Sequence, residues 1–520
     1  MKNRNIIVAT TFLALGYFAL CPIAQAVVPP PDGGYPGFTT AEGQNALKNL
    51  TTGVGNTGVG WFSLFSDIAG SSNTGVGAGT LALNTADSNT ATGTAALILN
   101  TSGTRNTANG TAALVFNDTG NDNTAVGAFA LNNNTASGNT AVGSSALTSN
   151  TTGSLNTVVG AAAMPSNTTG SDNTAVGLNA LLSNTTGGLN TVVGKAAMLS
   201  NTTGFENTAV GRDALFSNAD GIENTAVGRA AMGANTSGGG NTAIGWFALA
   251  ANTTGGGHVA VGSNALASTT ADSAFAANTA VGLDALFGDT IGNGNTGIGF
   301  GALIGNTSGG LNTALGLGAG AAATAGDGNV YIGALMPGVA GESNHTYIRN
   351  IKDTSVSGGG TDSVTVDLTT GLLGHLSSSR RYKEDIKPMN NASAALFRLK
   401  PVTYHYKKEI DQTRSPAFGL IAEEVAEVNP NLVARNAKGQ PESVHYEMVN
   451  AMLLNEFLKE HKKVEEQARE IQKQEATIAE LTKGMETVVA RLKEQESRIQ
   501  RVSAQIEITK AVPRVAATKP

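Results

Sequence analysis

The sequence predicts a mainly β protein, with a parallel β-solenoid or β-roll of about 17-residue repeats, then a small α+β domain, then a C-terminal coiled coil. Three observations predict it. A short motif recurs at a fixed period over more than half the chain, the composition is too poor in large side chains for a wide core, and the chain ends in a sustained heptad pattern.

The repeat is clearest in Asn173-Thr174-Ala175-Val176-Gly177, followed by Ala180-Leu181 and by Asn184-Thr185-Thr186-Gly187. Its first Asn falls at 56, 73, 89, 106, 123, 139, 156, 173, 190, 207, 224, 241, 278, 295, 312 and 329, with His258 in the equivalent place. The step is 16 or 17 residues except for 20 between 258 and 278, where one coil carries an insertion. Each unit holds two short apolar segments separated by Gly and Asn, neither long enough for a stable helix, so it reads as one coil of a solenoid over 56–333. Glycine supplies the positive φ of sharp corners, small apolar residues suit a narrow interior, and stacked Asn can hydrogen-bond from coil to coil. At about 4.7 Å between stacked strands the coils make a rod on the order of 80 Å long.

Composition excludes several ordinary globular domains, since only 5% of residues are aromatic and 14% charged while 66 are Gly. Charge is unevenly spread. Arg105, Lys195, Arg212 and Arg229 are the basic residues between 56 and 333, against 13 acidic ones, whereas 378–520 carries 20 acidic and 24 basic. Neither region has the basic stripe that neutralises phosphates, so nucleic acid is not an expected partner.

Lys2 and Arg4 precede an apolar run from Ile6 to about Ala19 and the small-residue pattern Ala24-Gln25-Ala26, which reads as a signal peptide over 1–26. An N-terminal linker follows over 27–55. Export to the cell surface or the extracellular space is therefore expected. The single cysteine, Cys21, lies inside that segment, with Leu20 too large for a lipoprotein signal, so the mature chain is expected to lack thiols, disulfides and lipid. No later stretch is long and apolar enough for a transmembrane helix.

The repeats resemble the head repeats of trimeric autotransporter adhesins, whose heads are β-rolls. The resemblance implies a rod and not that family's secretion route, because this chain ends in charged helix and a Lys/Pro tail over 507–520. Chemistry in the rod is sparse. The Asn-Thr-Thr and Asn-Thr-Ser triplets match the glycosylation pattern, but they recur at one structural position and read as turn and ladder residues. Glu206 and Glu223 share a place in adjacent coils, about 5 Å apart, the separation of a retaining glycosidase pair. Two exposed turn carboxylates, with a cation or without, are the better reading. Asp213 and Asp284 share a position four coils apart and cannot cooperate.

Past Gly333 the motif fades into alternating segments, Thr346–Ile351 and Val364–Leu368, joined by Gly358-Gly359-Gly360, which read as a β-rich neck over 334–377. Composition then changes at Ser377-Ser378-Ser379-Arg380-Arg381-Tyr382-Lys383-Glu384-Asp385-Ile386. Downstream lie Pro401-Val402-Thr403-Tyr404-His405-Tyr406, then Gly419-Leu420-Ile421-Ala422-Glu423-Glu424-Val425, then Val444-His445-Tyr446 ahead of a helix from Met448 to Leu458.

These motifs, in this order over 378–461, resemble the intramolecular chaperone domain of endosialidases and phage tailspikes, also found in myelin regulatory factors. Ser378, Arg381, Lys383 and Ile386 fall in the register of its opening Ser-Asp-x-Arg-x-Lys motif. Ser379 stands where that family has Asp, and Glu423 where it has Gln. The resemblance implies that the domain promotes trimer assembly of the fibre ahead of it and then cuts itself off once. Ser378 would be the nucleophile, Lys383 its general base, and the Ser377–Ser378 bond the scissile one. Such chemistry needs a neutral lysine, through desolvation or a nearby cation such as Arg380 or Arg381. Residues five apart face different ways on a helix or a strand, so a turn must bring the pair together. His375 is an alternative base, although a lone histidine after Gly374 more often packs a neck. No metal-ligand spacing appears and no cofactor is expected.

The C-terminal segment 462–506 carries heptads, with Val464, Ile471, Ile478, Met485, Leu492, Ile499 and Ile506 at a, and Gln467, Gln474, Leu481, Val488, Gln495 and Val502 at d. A coiled coil follows, and isoleucine at a with polar d layers is compatible with three strands. The function these features imply is an exported homotrimeric solenoid fibre or adhesin, joined through the coiled coil and the solenoid and self-cleaved as a Ser/Lys peptidase. The alternatives are a non-cleaving structural fibre of the same fold and, more weakly, a glycan-cleaving solenoid. The sequence does not specify the rod's own ligand, a surface glycan or a protein.

Overall fold

The computed structural model describes residues 37–270, 277–351, 364–368, 370, 372–375, 377–436 and 438–510. The expected signal peptide with Cys21, the expected turn at Gly358–Gly360 and the end of the tail lie outside the described residues. The chain divides into two compact units between Thr354 and Ser355.

The first unit is the parallel β-solenoid. Nineteen three-residue strands, from β1 (Thr40–Glu42) to β19 (Thr346–Ile348), form one sheet. Each pairs in parallel with the next, as Thr174, Ala175 and Val176 do with Thr191, Val192 and Val193. The period-two alternation of a strand turns the central residue inward, so Ala175, Ala209 and Ala226 are wholly buried while the flanking Thr and Val face outward. Gly177 takes φ 138° at the corner, and a Cβ there would sit 2.4 Å from the Gly194 carbonyl oxygen of the next coil.

The second apolar segment of each coil is a turn and not a strand. Leu181 adopts φ 51° and Asn179 φ 57°. A left-handed leucine costs about 1 to 2 kcal/mol, but Leu181 is completely buried, worth about 2 kcal/mol, and its N–H reaches the Ala197 carbonyl at 3.1 Å. The same residue recurs as Leu or Met from Leu97 to Leu303, which makes one continuous core.

Two buried asparagine ladders run beside it. The Asn173 N–H donates to Asn156 Oδ1 at 3.0 Å, and its Nδ2 donates to the Gly187 carbonyl at 3.0 Å. In the second ladder Asn184 Nδ2 donates to Asn167 Oδ1 at 2.9 Å. Satisfying these amides matters because an unpaired buried polar group costs about 1–3 kcal/mol. The ladders are interrupted around the longer coil. There Thr269 and Asp289 hold successive rungs of the second ladder and His258 one of the first; Thr269 Oγ1 and Asn252 Oδ1 are buried without a partner.

Thr346–Ile348, expected in the neck, is instead the last solenoid strand, parallel to β18 (Val330–Ile332). Tyr347 stacks on Tyr331 at 5.7 Å, and both hydroxyls donate to the Glu342 carboxylate, at 2.8 and 3.0 Å. Large rings thus occupy the interior position that Ala fills elsewhere, and they close that end of the core.

The second unit is a small α+β fold followed by a long helix. A short antiparallel pair, β20 (Thr365–Val366) with β21 (Leu373–Gly374), precedes a 3-10 turn at Arg380–Tyr382 and a 3-10 helix at Asn390–Arg398. Antiparallel pairs β22 (Val402–Tyr404) with β23 (Ala417–Gly419) and β24 (Val433–Arg435) with β25 (Pro441–Val444) flank α1 (Ala422–Val428). Helix α2 then runs from Tyr446 to Lys510, 65 residues or about 100 Å. Among the described residues its buried apolar core is Val425, Leu432, Val433 and Met452, with partly buried neighbours such as Leu396, Leu399 and Val449. Among the described residues no helix is long and apolar enough to cross a membrane.

Candidate functional site

The opening motif folds as a tight reversal. Ser379 caps the 3-10 turn, its Oγ accepting from the Arg381 backbone N–H at 3.4 Å and from Arg381 Nε at 3.2 Å. A serine hydroxyl does here what an aspartate carboxylate does at such a cap, so the departure at Ser379 leaves the turn intact. Lys383 closes the turn by donating its N–H to the Arg380 carbonyl at 3.2 Å. This 3-10 turn lies between Ser378 and Lys383 in the chain.

Ser377, Ser378 and Lys383 are all exposed, and among the described residues no hydrogen bond joins Ser378 to Lys383. Ser377 Oγ accepts the Ser379 N–H at 3.2 Å, and the Arg381 guanidinium lies over the Tyr382 ring at 5.6 Å. His375 is exposed just after β21.

The three downstream motifs converge on Gly419. Val402–Tyr404 pairs with Ala417–Gly419, and Tyr446, at the start of α2, accepts the Leu420 N–H on its hydroxyl at 3.0 Å. A Cβ at Gly419 would lie 2.8 Å from that hydroxyl and 3.3 Å from the Tyr404 ring, so only glycine admits both. Glu423 and Glu424 occupy the first turn of α1, where the helix dipole favours carboxylates.

A second serine and lysine meet deeper in the unit, and sequence reasoning missed them. Ser393, fully buried, lies 3.4 Å from Lys459 Nζ and 2.6 Å from Asn455 Nδ2, and it donates to Glu456 Oε1 at 2.5 Å. Lys459 also pairs with Glu456 at 2.7 Å, and this lysine and Ser393 hold the Glu456 carboxyl below its ordinary range. The ion pair and the hydrogen bonds to Ser393 fasten the 3-10 helix to α2. The three-residue spacing of Glu456 and Lys459 was the one signal available in the sequence.

In the solenoid, Glu206 and Glu223 precede strands β11 (Thr208–Val210) and β12 (Thr225–Val227), which pair in register, and both are exposed. Asp213 pairs with Arg212 at 3.0 Å, and Asp284 accepts from Asn264 Nδ2 at 3.0 Å.

The chain thus pairs a parallel solenoid with a small domain whose motifs close around Gly419. Residues 378–434 match the family model described as the chaperone of endosialidase, a family classed among the peptidases. No curated protein and no solved structure matches the chain.

Proposed function

We propose that the chain is an exported, tail-fibre-like homotrimer whose C-terminal domain drives assembly and then releases itself by one cut between Ser377 and Ser378. The match of residues 378–434 carries this reading. The apolar surface left open on the single chain supports it. Phe397, Phe418 and Phe457 are 65–79% exposed, and so are more than half of each of Ile471, Ile478, Leu481, Met485 and Leu492 along α2. Such a helix is stable in water when its apolar seam is covered by further copies as a coiled coil.

In the cut, Ser378 Oγ attacks the Ser377 carbonyl carbon while neutral Lys383 Nζ takes the hydroxyl proton. The C–N bond breaks as that proton passes to the departing Ser378 amine, and water hydrolyses the resulting ester. Lys383 is exposed on the single chain, so assembly is the event that desolvates it, with Arg380 and Arg381 adding positive charge. The alternative, a fibre that keeps its domain, is supported by the missing Ser378 to Lys383 contact.

The test is the mass of the purified protein. Self-cleavage yields a C-terminal fragment of 143 residues, 520 minus 377, beginning at Ser378. Ser378→Ala leaves the chain uncut. An intact wild-type chain establishes the non-cleaving fibre, and a cut at the same bond in Ser378→Ala assigns the processing to another protease.

A further inference from the structure

The outer face of the strand ladder carries no charge from β2 (Thr57–Val59) to β19. Its first position is Thr throughout except Val259 and Val330. Its third is Val, Ile or Leu throughout except Thr92 and Asn109. These side chains stand in register, coil on coil, and are substantially open, with Val193 39%, Ile244 41% and Leu315 48% exposed.

Charge sits on the two rims of this face instead. At two consecutive levels a carboxylate enters the strand and a guanidinium leaves it, Glu206 with Arg212 beside β11 and Glu223 with Arg229 beside β12. Lys195 extends the basic rim by one coil. Arg212 pairs locally with Asp213, but among the described residues Lys195, Glu206, Glu223 and Arg229 have no ion-pair partner. Elsewhere on the entry rim Arg105 pairs with Asp122 at 2.6 Å, but at the Glu206 and Glu223 levels, and from Lys195 to Arg229 on the exit rim, like charges stack roughly 5 Å apart, which is unfavourable unless opposite charge is brought to them.

We propose that this strand face is the surface through which solenoids of this chain associate, with copies running in the same direction at the same level. The acidic rim at Glu206 and Glu223 of one copy then meets the basic rim at Arg212 and Arg229 of the next. A partner that covers the face must present apolar side chains at its own repeat of about 4.8 Å, and a second copy does so along the whole length. Parallel copies related about the rod axis place entry rim against exit rim, whereas antiparallel copies place like charge on like charge. The face is about 85 Å by about 10 Å, or on the order of 850 Å² per copy, which is what a stable interface needs from each partner. This inference rests on the reading that the chain forms a homo-oligomer and specifies which side of the solenoid joins.

The test uses the full-length chain, whose single native cysteine is Cys21 in the leader. Glu223 and Arg229 are separated by a whole strand, roughly 20 Å in extended chain, too far for a disulfide within one copy. Oxidised Glu223→Cys/Arg229→Cys protein should run as covalent multimers on non-reducing gels, while neither single variant does. Adding Val210→Glu and Val227→Glu should abolish the linkage, because the faces no longer pack. Sedimentation is read in parallel. An oligomer without cross-links, or cross-links that survive the two face substitutions, overturns this inference and leaves the assembly reading standing. A monomer overturns both.

Discussion

Asp289 accepts the Nδ2 hydrogen of Asn278 at 3.0 Å inside the solenoid, on a rung that most coils give to asparagine. Its other oxygen takes the Gly292 N–H and the Asn306 Nδ2, each at 3.0 Å. These neutral donors offset only part of the desolvation, and burial pushes its pKa up to about 7 from the ordinary 3.8.

A carboxyl raised in the folded state favours folding while protonated. The contribution of Asp289 to stability is highest below about pH 4, falls as pH rises toward 7, and is level beyond. Asp289→Asn should therefore raise the melting temperature by a few °C at pH 8 and by much less at pH 4, as followed by circular dichroism. Asp67, raised to about 6 by burial, acts in the same direction over a narrower window. An equal gain for Asp289→Asn at both pH values would show that the carboxyl does not titrate.

His258 has the opposite sign. Its N–H donates to Asn241 Oδ1 at 2.9 Å and its Nδ1 accepts the Asn278 N–H at 3.2 Å, but Nε2 is buried without a partner. Burial pushes its pKa down to about 4 from 6.5, so the folded state favours neutral imidazole. The contribution of His258 is full above about 6.5 and is lost as pH falls toward 4. His258→Asn should flatten the acid limb of the stability profile, and an unchanged limb would place the sensitivity elsewhere.

The period, the parallel register and the inward alanines were legible because every coil repeats the same local choice at the same step. The left-handed leucine was not. Nothing in Ala180-Leu181 marks a turn, since the conformation is unfavourable locally and is held by burial and by the hydrogen bond to the Ala197 carbonyl of the next coil. The strand at Tyr347 was hidden by the loss of the Asn-Thr-Ala motif, yet Tyr331 and Tyr347 stand one repeat apart, and the His345 N–H still reaches Asn329 Oδ1 at 3.0 Å. In the second unit Ser378 and Lys383 came from resemblance to a family motif. The Ser393 cluster was invisible because its partners lie more than sixty residues away along the chain.

The corner glycines should be the least replaceable residues of the rod. Gly177→Ala forces a Cβ to 2.4 Å from a backbone oxygen and holds alanine at φ 138°, so the cost should be several kcal/mol by the measure of other strained or overpacked sites. Gly484 lies in α2 with nothing within 4 Å of its added Cβ. Gly484→Ala should stabilise the helix by about 1 kcal/mol. Thermal melts of the two variants, one sharply lower and one slightly higher, check the contrast.

Helix α2 leaves Ile478 62% and Leu481 66% exposed on the single chain. If other copies cover them, Ile478→Asp/Leu481→Asp places unpaired charge in the seam, at a cost of several kcal/mol per chain, and the full-length oligomer should dissociate at protein concentrations where the wild type stays assembled. Persistence of the oligomer would assign its interface to residues outside the heptads.

The second unit holds two serine and lysine pairs, and the proposed cut by one of them predicts different outcomes for each. Lys459 is held beside Glu456 at 2.7 Å in a cluster that ties the 3-10 helix to α2, so Lys459→Ala should leave the cleaved fraction unchanged in whatever protein still assembles, while lowering stability through loss of the buried tie to Ser393. Lys383→Ala removes the proposed base from an exposed turn whose backbone hydrogen bonds do not involve its side chain, so stability and assembly should stay as in the wild type while the fragment beginning at Ser378 disappears. The two variants are compared by sedimentation and by intact mass on the same preparation, which separates failure to assemble from failure to cut. An assembled Lys383→Ala chain that still releases the fragment would remove Lys383 as the base. An assembled Lys459→Ala chain that remains whole would move the chemistry to the buried cluster.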